Sequence, residues 1–156
     1  MLAQWVDAQG LRQSDEVNVG IAVTIEPEGL VVPVLRNAAT RSLRVLAAEL
    51  LDLVDKARAG RLSPAEMQGG TFSITNLGGY RVDGFTPILN PPQVAILGLH
   101  KIQDRPVTLS AQIVSRPMMY VALSYDHRIV DGMEAVQFLV RVKRLVEEPA
   151  SLLLEG

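Results

Sequence analysis

Residues 124–132, with the sequence Ser-Tyr-Asp-His-Arg-Ile-Val-Asp-Gly, carry the side chains best suited to chemistry in this chain of 156 residues. His127 is one of only two histidines, and it lies there between acidic and basic neighbours. An imidazole titrates near neutral pH, so a histidine in such a setting can take a proton from a substrate. The alternative is a ring that satisfies only local backbone groups, and this segment alone does not decide between the two.

A predicted strand and a predicted helix flank His127. Residues 118–123 are apolar and typical of a buried strand, whereas residues 133–140 begin a helical pattern. Loops held by a rigid scaffold often carry function. The sequence therefore predicts that His127 is presented at the junction between the two elements.

Further elements follow from periodicity, caps and turn residues. A hairpin is predicted from strands at 17–25 and 30–35 around the Glu-Pro-Glu-Gly turn at 26–29. A helix is predicted from an N-cap at Ser42 to Gly60, with an apolar face formed by Leu43, Leu46, Leu50, Val54 and Ala57. It should lie on a sheet.

Further strands and helices are predicted in the second half of the chain. A capping box with proline at the first helical position predicts a short helical turn at 63–66. Strands are predicted at residues 71–75, 94–99, 112–115 and 118–125. The last helix is predicted to begin at Asp131 and to end before Pro149, followed by an apolar tail at 149–154 that docks or is buried between subunits. These elements predict an α+β two-layer sandwich of mixed sheet and helices.

The composition suits one domain that also contacts other chains. Hydrophobic residues make up 48% of the chain and charged residues 21%, so we expect apolar side chains to form an exposed contact surface as well as a core. The formal net charge is −2 and the basic residues are scattered, which indicates no nucleic-acid partner.

Cysteine and histidine usage restricts the chemistry. With no cysteine and two histidines, disulfides, thiolate nucleophiles and cysteine-ligated metals are excluded, and a zinc site has too few obvious ligands. We predict no metal. The chain shows no signal-peptide pattern and no uncharged run of about 18 residues, which predicts no membrane association and a cytoplasmic location, or a mitochondrial matrix one if the source is eukaryotic.

Residues 126–132 resemble the His-Arg-x-x-Asp-Gly signature of the acyltransferase component of 2-oxo acid dehydrogenase complexes, which shares its fold with chloramphenicol acetyltransferase. Four other segments resemble blocks of that family in the expected order. They are residues 18–23, 29–36, 69–78 and 87–98. The resemblance covers residues 17–156, and several ordered blocks are more specific than any single motif.

The resemblance implies one catalytic domain over residues 1–156, with residues 1–16 a weakly specified lead-in. Family catalytic domains normally begin well before the block at residue 18, so we expect an N-terminally shortened domain. The lipoyl group would be delivered by a separate domain. The implied reaction exchanges an acyl group between dihydrolipoamide and coenzyme A, with the chain forming a homotrimer, and a larger cage is an open alternative. The resemblance assigns no residues to coenzyme A binding.

The resemblance also implies site residues. His127 is the general base, and Thr75 matches the position at which family members carry a serine or threonine hydroxyl directed at the oxyanion. Ser73 lies on the same strand face and is the fallback donor, and the alternative for Thr75 is a β-branched residue that simply suits a strand. In the family the site lies between adjacent protomers, so the histidine of one chain faces the hydroxyl of the next.

Asp131 and Arg128 each have two interpretations, and His100 has one. Asp131 has an implied orienting or salt-bridging role, and with Glu134 three residues on it is equally an N-cap. Arg128 either pairs with an acid to fix the histidine loop or is solvated. His100 follows a predicted buried strand without acidic or hydroxyl neighbours in a catalytic pattern, so we predict a structural role for it.

The acyl group and the activity itself have alternatives. Residues 100–106, residues 117–125 and the threonine at 75 look like the succinyltransferase branch, whereas residues 76–79 and 85–88 look closer to acetyltransferases. We favour succinyl. The alternatives are a non-catalytic assembly fragment of the same core and an acetyltransferase acting on a small hydroxylated molecule.

Overall fold

The structure, a computed structural model, describes residues 4–7, 10–27 and 29–153. Its strands are β1 (Gln4–Asp7), β2 (Gly10–Gln13), β3 (Val19–Ile21), β4 (Val23–Ile25), β5 (Gly29–Val31), β6 (Val34–Leu35), β7 (Phe72–Asn76), β8 (Ala95–Leu99), β9 (Gln103–Leu109), β10 (Gln112–Met118) and β11 (Val121–Tyr125). Its α-helices are α1 (Leu43–Arg58) and α2 (Gly132–Glu147). Neither helix is long and apolar enough to cross a membrane.

A five-stranded mixed sheet in the order β11-β8-β7-β3-β6 forms the centre of the molecule. β7 runs parallel to both β3 and β8, whereas β11 and β6 run antiparallel to their neighbours. β8, which has a neighbour on each side, is apolar throughout, as expected for a strand covered on both faces. With two helices and this sheet, the predicted α+β class is confirmed.

Helix α2 packs on one face of the sheet and builds the core there. The rings of Phe72 in β7 and Phe138 in α2 lie 5.5 Å apart between centroids. Around them cluster the buried residues Val94, Ala95, Leu97, Val130 and Ala135. Because β-strand side chains alternate between faces, Ser73 and Thr75 of β7 point to the other side of the sheet from Phe72.

Helix α1 begins as predicted but buries a slightly different face. The Ser42 hydroxyl accepts a hydrogen bond from the Val45 amide at 3.4 Å, which confirms the N-cap. Leu53 and Ala57 are its buried residues, and the helix contacts β4 and β6. The prediction that Leu43 belongs to the apolar face was wrong, since Leu43 is 68% exposed in the first turn.

The predicted hairpin is confirmed, with two breaks that the sequence did not predict. β4 and β5 pair antiparallel, with Ile25 opposite Gly29, and residue 28 of the predicted turn lies outside the described residues. Each predicted strand is split, because β3 and β6 join the central sheet while β4 and β5 form a separate pair. Pro33 stands between β5 and β6 and has no amide hydrogen for a ladder bond.

The ribbon formed by β9 and β10 was missed in part. Strand β9 was not predicted, and β10 extends beyond residue 115 to Met118, so that β11 begins only at Val121. The two strands pair antiparallel over seven residues each and are linked by Ser110 and Ala111, both with positive φ (48° and 64°). Hairpin turns of that shape usually carry asparagine or glycine, so the sequence gives no turn signal here.

The remaining local predictions can be compared directly. A 3-10 turn at Pro64–Met67 follows Ser63, whose amide donates to the Glu66 carboxylate at 2.8 Å, as the capping box predicted. The Ser63 hydroxyl donates to the same carboxylate at 2.8 Å. Residues 4–7 and 10–13 of the weakly specified lead-in form an antiparallel hairpin. A 3-10 turn at Pro149–Leu153 begins the apolar tail, and residue 154 lies outside the described residues.

Candidate active site

His127 lies exposed in a tight turn between β11 and α2. Backbone hydrogen bonds fix this turn on the sheet: the Asp126 amide donates to the Val94 carbonyl at 2.8 Å, and the Asp126 carbonyl accepts from Ile129 and Val130, each at 3.0 Å. Val130 is 1% exposed and anchors the turn in the core. The predicted presentation of His127 at a strand-to-helix junction is confirmed.

The two residues that flank His127, Asp126 and Arg128, form an ion pair with each other. The Asp126 carboxylate accepts from the Arg128 side chain at 2.9 Å (Nε to Oδ1) and 2.5 Å (Nη2 to Oδ2), and from the Arg128 amide at 3.1 Å. These bonds, the side-chain ones first, lower the pKa of Asp126 to about 2 and raise the pKa of Arg128. Of the two interpretations of Arg128, pairing with an acid is the one observed.

The ring of His127 stands beside Tyr125 and the start of α2. Its centroid lies 5.3 Å from that of Tyr125. A Cβ atom built on Gly132 would lie 3.8 Å from His127 Nε2 and 3.8 Å from Tyr125 Oη. Nε2 therefore points towards the first residue of the helix, where the glycine leaves the ring edge uncovered.

Asp131 occupies the N-cap position of α2, as predicted, but its side chain makes no capping hydrogen bond. Its carbonyl accepts the first hydrogen bond of the helix, from the Ala135 amide at 3.0 Å. The residue is exposed, so the carboxylate four residues after His127 is not committed to the helix end.

Thr75 lies on β7, on the face of the sheet that α2 leaves uncovered. It is partly buried and is in register with Gly98 of β8. Ser73, the fallback donor, is 1% exposed and its hydroxyl donates to Gln93 Oε1 at 2.6 Å. Because the Ser73 proton is already engaged in the interior, the geometry favours Thr75 as the residue able to meet a substrate.

His100 has the structural role predicted for it. It is 4% exposed. Nδ1 lies 2.9 Å from the Tyr120 carbonyl, and Nε2 lies 3.1 Å from the Phe85 amide and 3.2 Å from the Phe85 carbonyl. The tautomer with its hydrogen on Nδ1 satisfies both the Tyr120 carbonyl and the Phe85 amide.

One chain does not bring Thr75 and His127 together. Tyr125, at the end of β11, is opposite Ala95, whereas Thr75 lies beside Gly98 three residues further along β8. That offset is about 10 Å along the strands, and β7 and β11 are about another 10 Å apart across the sheet. Direct contact between the two side chains of one chain is excluded by this separation.

Comparison with known proteins gives a consistent result. The model of the 2-oxoacid dehydrogenases acyltransferase (catalytic domain) family matches residues 1–154. The chain is 54% identical over 138 residues to the succinyltransferase component of the 2-oxoglutarate dehydrogenase complex of Azotobacter vinelandii, and 55% identical over 140 residues to that of Bacillus subtilis. These matches cover 88% and 89% of the chain but 34% and 33% of the relatives, so the chain spans about a third of their length.

Solved structures are similar at lower identity. The dihydrolipoamide acetyltransferase of Azotobacter vinelandii aligns with a TM-score of 0.91 and 40% identity over 97% of this chain and 63% of the other. A probable dihydrolipoamide acetyltransferase of Listeria monocytogenes aligns with a TM-score of 0.88 and 37% identity over 94% and 62%. The described fold is thus that of these acyltransferase cores.

Proposed function

We propose a function for this chain from one premise: it belongs to the 2-oxoacid dehydrogenase acyltransferase family, whose model matches residues 1–154. The proposed reaction is transfer of a succinyl group between the thiols of dihydrolipoamide and coenzyme A, in the core of a 2-oxo acid dehydrogenase complex. Relatives named as succinyltransferases share 50–55% identity with the chain, whereas the acetyltransferases among the similar structures share 37–40%. The higher identity favours succinyl.

The spacing of the candidate residues carries the proposal. The Azotobacter vinelandii acetyltransferase was crystallised to study a serine, a histidine and an asparagine in its catalytic mechanism, and there the serine precedes the histidine by 52 residues and the asparagine follows it by four. Thr75 precedes His127 by 52 residues, and Asp131 follows it by four. A hydroxyl, an imidazole and a polar side chain thus recur at the same intervals.

The proton chemistry follows from ordinary pKa values. A free thiol titrates at about 8.5 and is mostly protonated at neutral pH. In the proposed step the His127 imidazole takes the thiol proton while the sulfur attacks the thioester carbonyl. The resulting tetrahedral oxyanion collapses, the carbon–sulfur bond of the leaving thiol breaks, and the imidazolium returns the proton to that sulfur.

Thr75 supplies the second part of the mechanism. Its hydroxyl donates to the oxyanion, a contact that is stronger in the transition state than with the neutral carbonyl. Since Thr75 and His127 of one chain are too far apart to meet, we propose that the histidine of one protomer meets the threonine of the next in a homotrimer. Coenzyme A and a lipoyl group on a separate domain are then the substrates that enter this shared site.

The direct test is a transfer assay with succinyl-coenzyme A and dihydrolipoamide on the assembled chain. Replacing His127 with alanine should lower kcat by about 10²- to 10⁴-fold, the range supplied by a general base, with circular dichroism unchanged. Lys143→Ala serves as control, because Lys143 is 70% exposed and pairs with Glu147 one turn along α2. A folded His127→Ala chain with the wild-type rate would refute the base assignment.

A further inference from the structure

The segment between β7 and β8 approaches the sheet beside Thr75. Gly98 is in register with Thr75 on the neighbouring parallel strand, and in-register residues on adjacent strands point to the same face, about 4.8 Å apart. A Cβ atom built on Gly98 would lie 3.1 Å from Phe85 Cζ and 3.2 Å from Pro87 Cγ. The Phe85 ring and Pro87 therefore rest on the backbone of β8 directly beside the threonine.

Several bonds hold this segment in place. The Lys101 amide donates to the Val82 carbonyl at 3.1 Å, and the Lys101 ammonium pairs with Asp83 at 2.8 Å. Phe85 itself is fixed by His100, because its amide donates to His100 Nε2 at 3.1 Å and the two rings meet edge to face at 4.7 Å. The other nitrogen of His100 is bound to the Tyr120 carbonyl at the start of β11.

We propose that Phe85, held by His100, forms one wall of the acyl-binding site beside Thr75 and limits the length of the acyl group. This inference rests on the proposed function. An acyl group whose carbonyl accepts a hydrogen bond from Thr75 lies on the same sheet face, and a chain that extends towards β8 meets the Phe85 ring there. Phe85 is then a specificity-determining residue, and His100 is a positioning residue that acts through it.

The test compares succinyl-coenzyme A with glutaryl-coenzyme A, which is one methylene longer, as donors to dihydrolipoamide. A methylene in an apolar pocket changes kcat/KM by about 10- to 200-fold. Phe85→Ala should therefore raise the ratio of glutaryl to succinyl kcat/KM by about tenfold or more. Phe85→Leu, which keeps an apolar side chain over Gly98, should raise it less and serves if the alanine variant does not assemble.

Two substitutions of His100 separate positioning from general stability. Asparagine can reach the place of Nδ1 but not that of Nε2, so His100→Asn loses the bond to the Phe85 amide and should raise the ratio. Glutamine can reach the place of Nε2, so His100→Gln should stay near the wild-type ratio. Phe138→Leu is the matched control, since Phe138 packs against Phe72 on the opposite face; it should lower stability and leave the ratio unchanged.

The outcomes are distinct. If the wild-type chain transfers succinyl and a folded Phe85→Ala variant keeps its ratio within twofold of wild type, the role of Phe85 is refuted while the proposed function stays intact. Where only Phe85→Leu assembles, an unchanged ratio in that variant refutes it. A folded wild-type chain that transfers no acyl group from either acyl-coenzyme A would refute the proposed function, and the proposed role of Phe85 with it.

Discussion

His127 is exposed, whereas the residues on either side of it form an ion pair with each other. Asp126 and Arg128 join through their side chains, with the carboxylate 16% and the guanidinium side chain 82% exposed. The turn is also bonded to Val94, which directly precedes β8, and is anchored by the buried Val130. The proposed general base must be held in position to be effective, and the fixed turn holds His127 while its ring stays exposed.

The Asp126 carboxylate should therefore titrate well below an ordinary aspartate. The pKa of Asp126 in the folded chain is about 2, against an ordinary 3.8. The bonds of its carboxylate to Arg128 therefore stabilise the fold fully above about pH 4, and this stabilisation is lost as the pH falls towards 2. Carbon-13 NMR of the carboxyl group measures this directly. In Arg128→Met the pKa of Asp126 should return towards 3.8, because its main bonding partner is gone.

Glu66 provides the internal control for this titration. Its pKa is also about 2, lowered first by the Ser63 amide and then by Lys56, and Arg128 has no part in that shift. Its titration should be the same in wild type and in Arg128→Met. An Asp126 pKa that stays near 2 in the variant would contradict the assignment of its cause.

At the scale of elements, helix α1 offers a matched pair of leucines. Leu53 is 3% exposed and Leu51 is 68% exposed, two residues apart on the same helix. Leu53→Ala should lower the free energy of unfolding by about 2 to 5 kcal/mol, because it leaves a cavity against the sheet. Leu51→Ala should change it by less than about 0.5 kcal/mol.

Chemical denaturation at one fixed chain concentration measures both variants, since association would otherwise shift the midpoint. The difference between the two losses in unfolding free energy measures the effect of burial, because both variants replace a leucine of the same helix with alanine. Equal losses in the two variants would mean that the exposed face of α1 is covered in the assembled protein.

At the scale of the whole molecule, the described surface carries large apolar side chains. Ile88 is 88% exposed, Ile113 80% and Ile102 70%. This agrees with the expectation from composition of an exposed contact surface, and it supports association of several chains.

Mixing two inactive variants tests the shared site. Chains with His127→Ala retain Thr75, and chains with Thr75→Val retain His127. If each site takes one residue from each of two neighbours in a cyclic trimer, random assembly of equal amounts leaves about a quarter of the sites intact. Co-expressed chains should therefore recover about a quarter of the wild-type transfer rate, as measured by the succinyl transfer assay.

Each variant expressed alone, and a chain carrying both substitutions, are the controls and should stay inactive. A mixture as inactive as its parents would argue against a site shared between chains. Light scattering on the same samples checks the assembly, for which a trimer has a mass of about 51 kDa.

The sequence by itself determined the features that depend on neighbours along the chain. The Ser42 cap, the Ser63 capping box, the start of α2 after Asp131 and the exposed turn at His127 all follow from contacts within a few residues. The family signature adds the candidate roles of His127, Thr75 and Asp131. Strand boundaries were less well determined, because Ser110 and Ala111 form a hairpin turn without the usual turn residues.

Only the tertiary structure decided which distant residues meet. Thr75 lies beside Gly98, His100 holds Phe85, and Ser73 is engaged with Gln93, all through strand register or packing between segments far apart in sequence. The separation of Thr75 from His127 depends on the antiparallel placement of β11 against β8. Local patterns carry no information on register across a sheet, because many pairings would satisfy the same alternation of side chains.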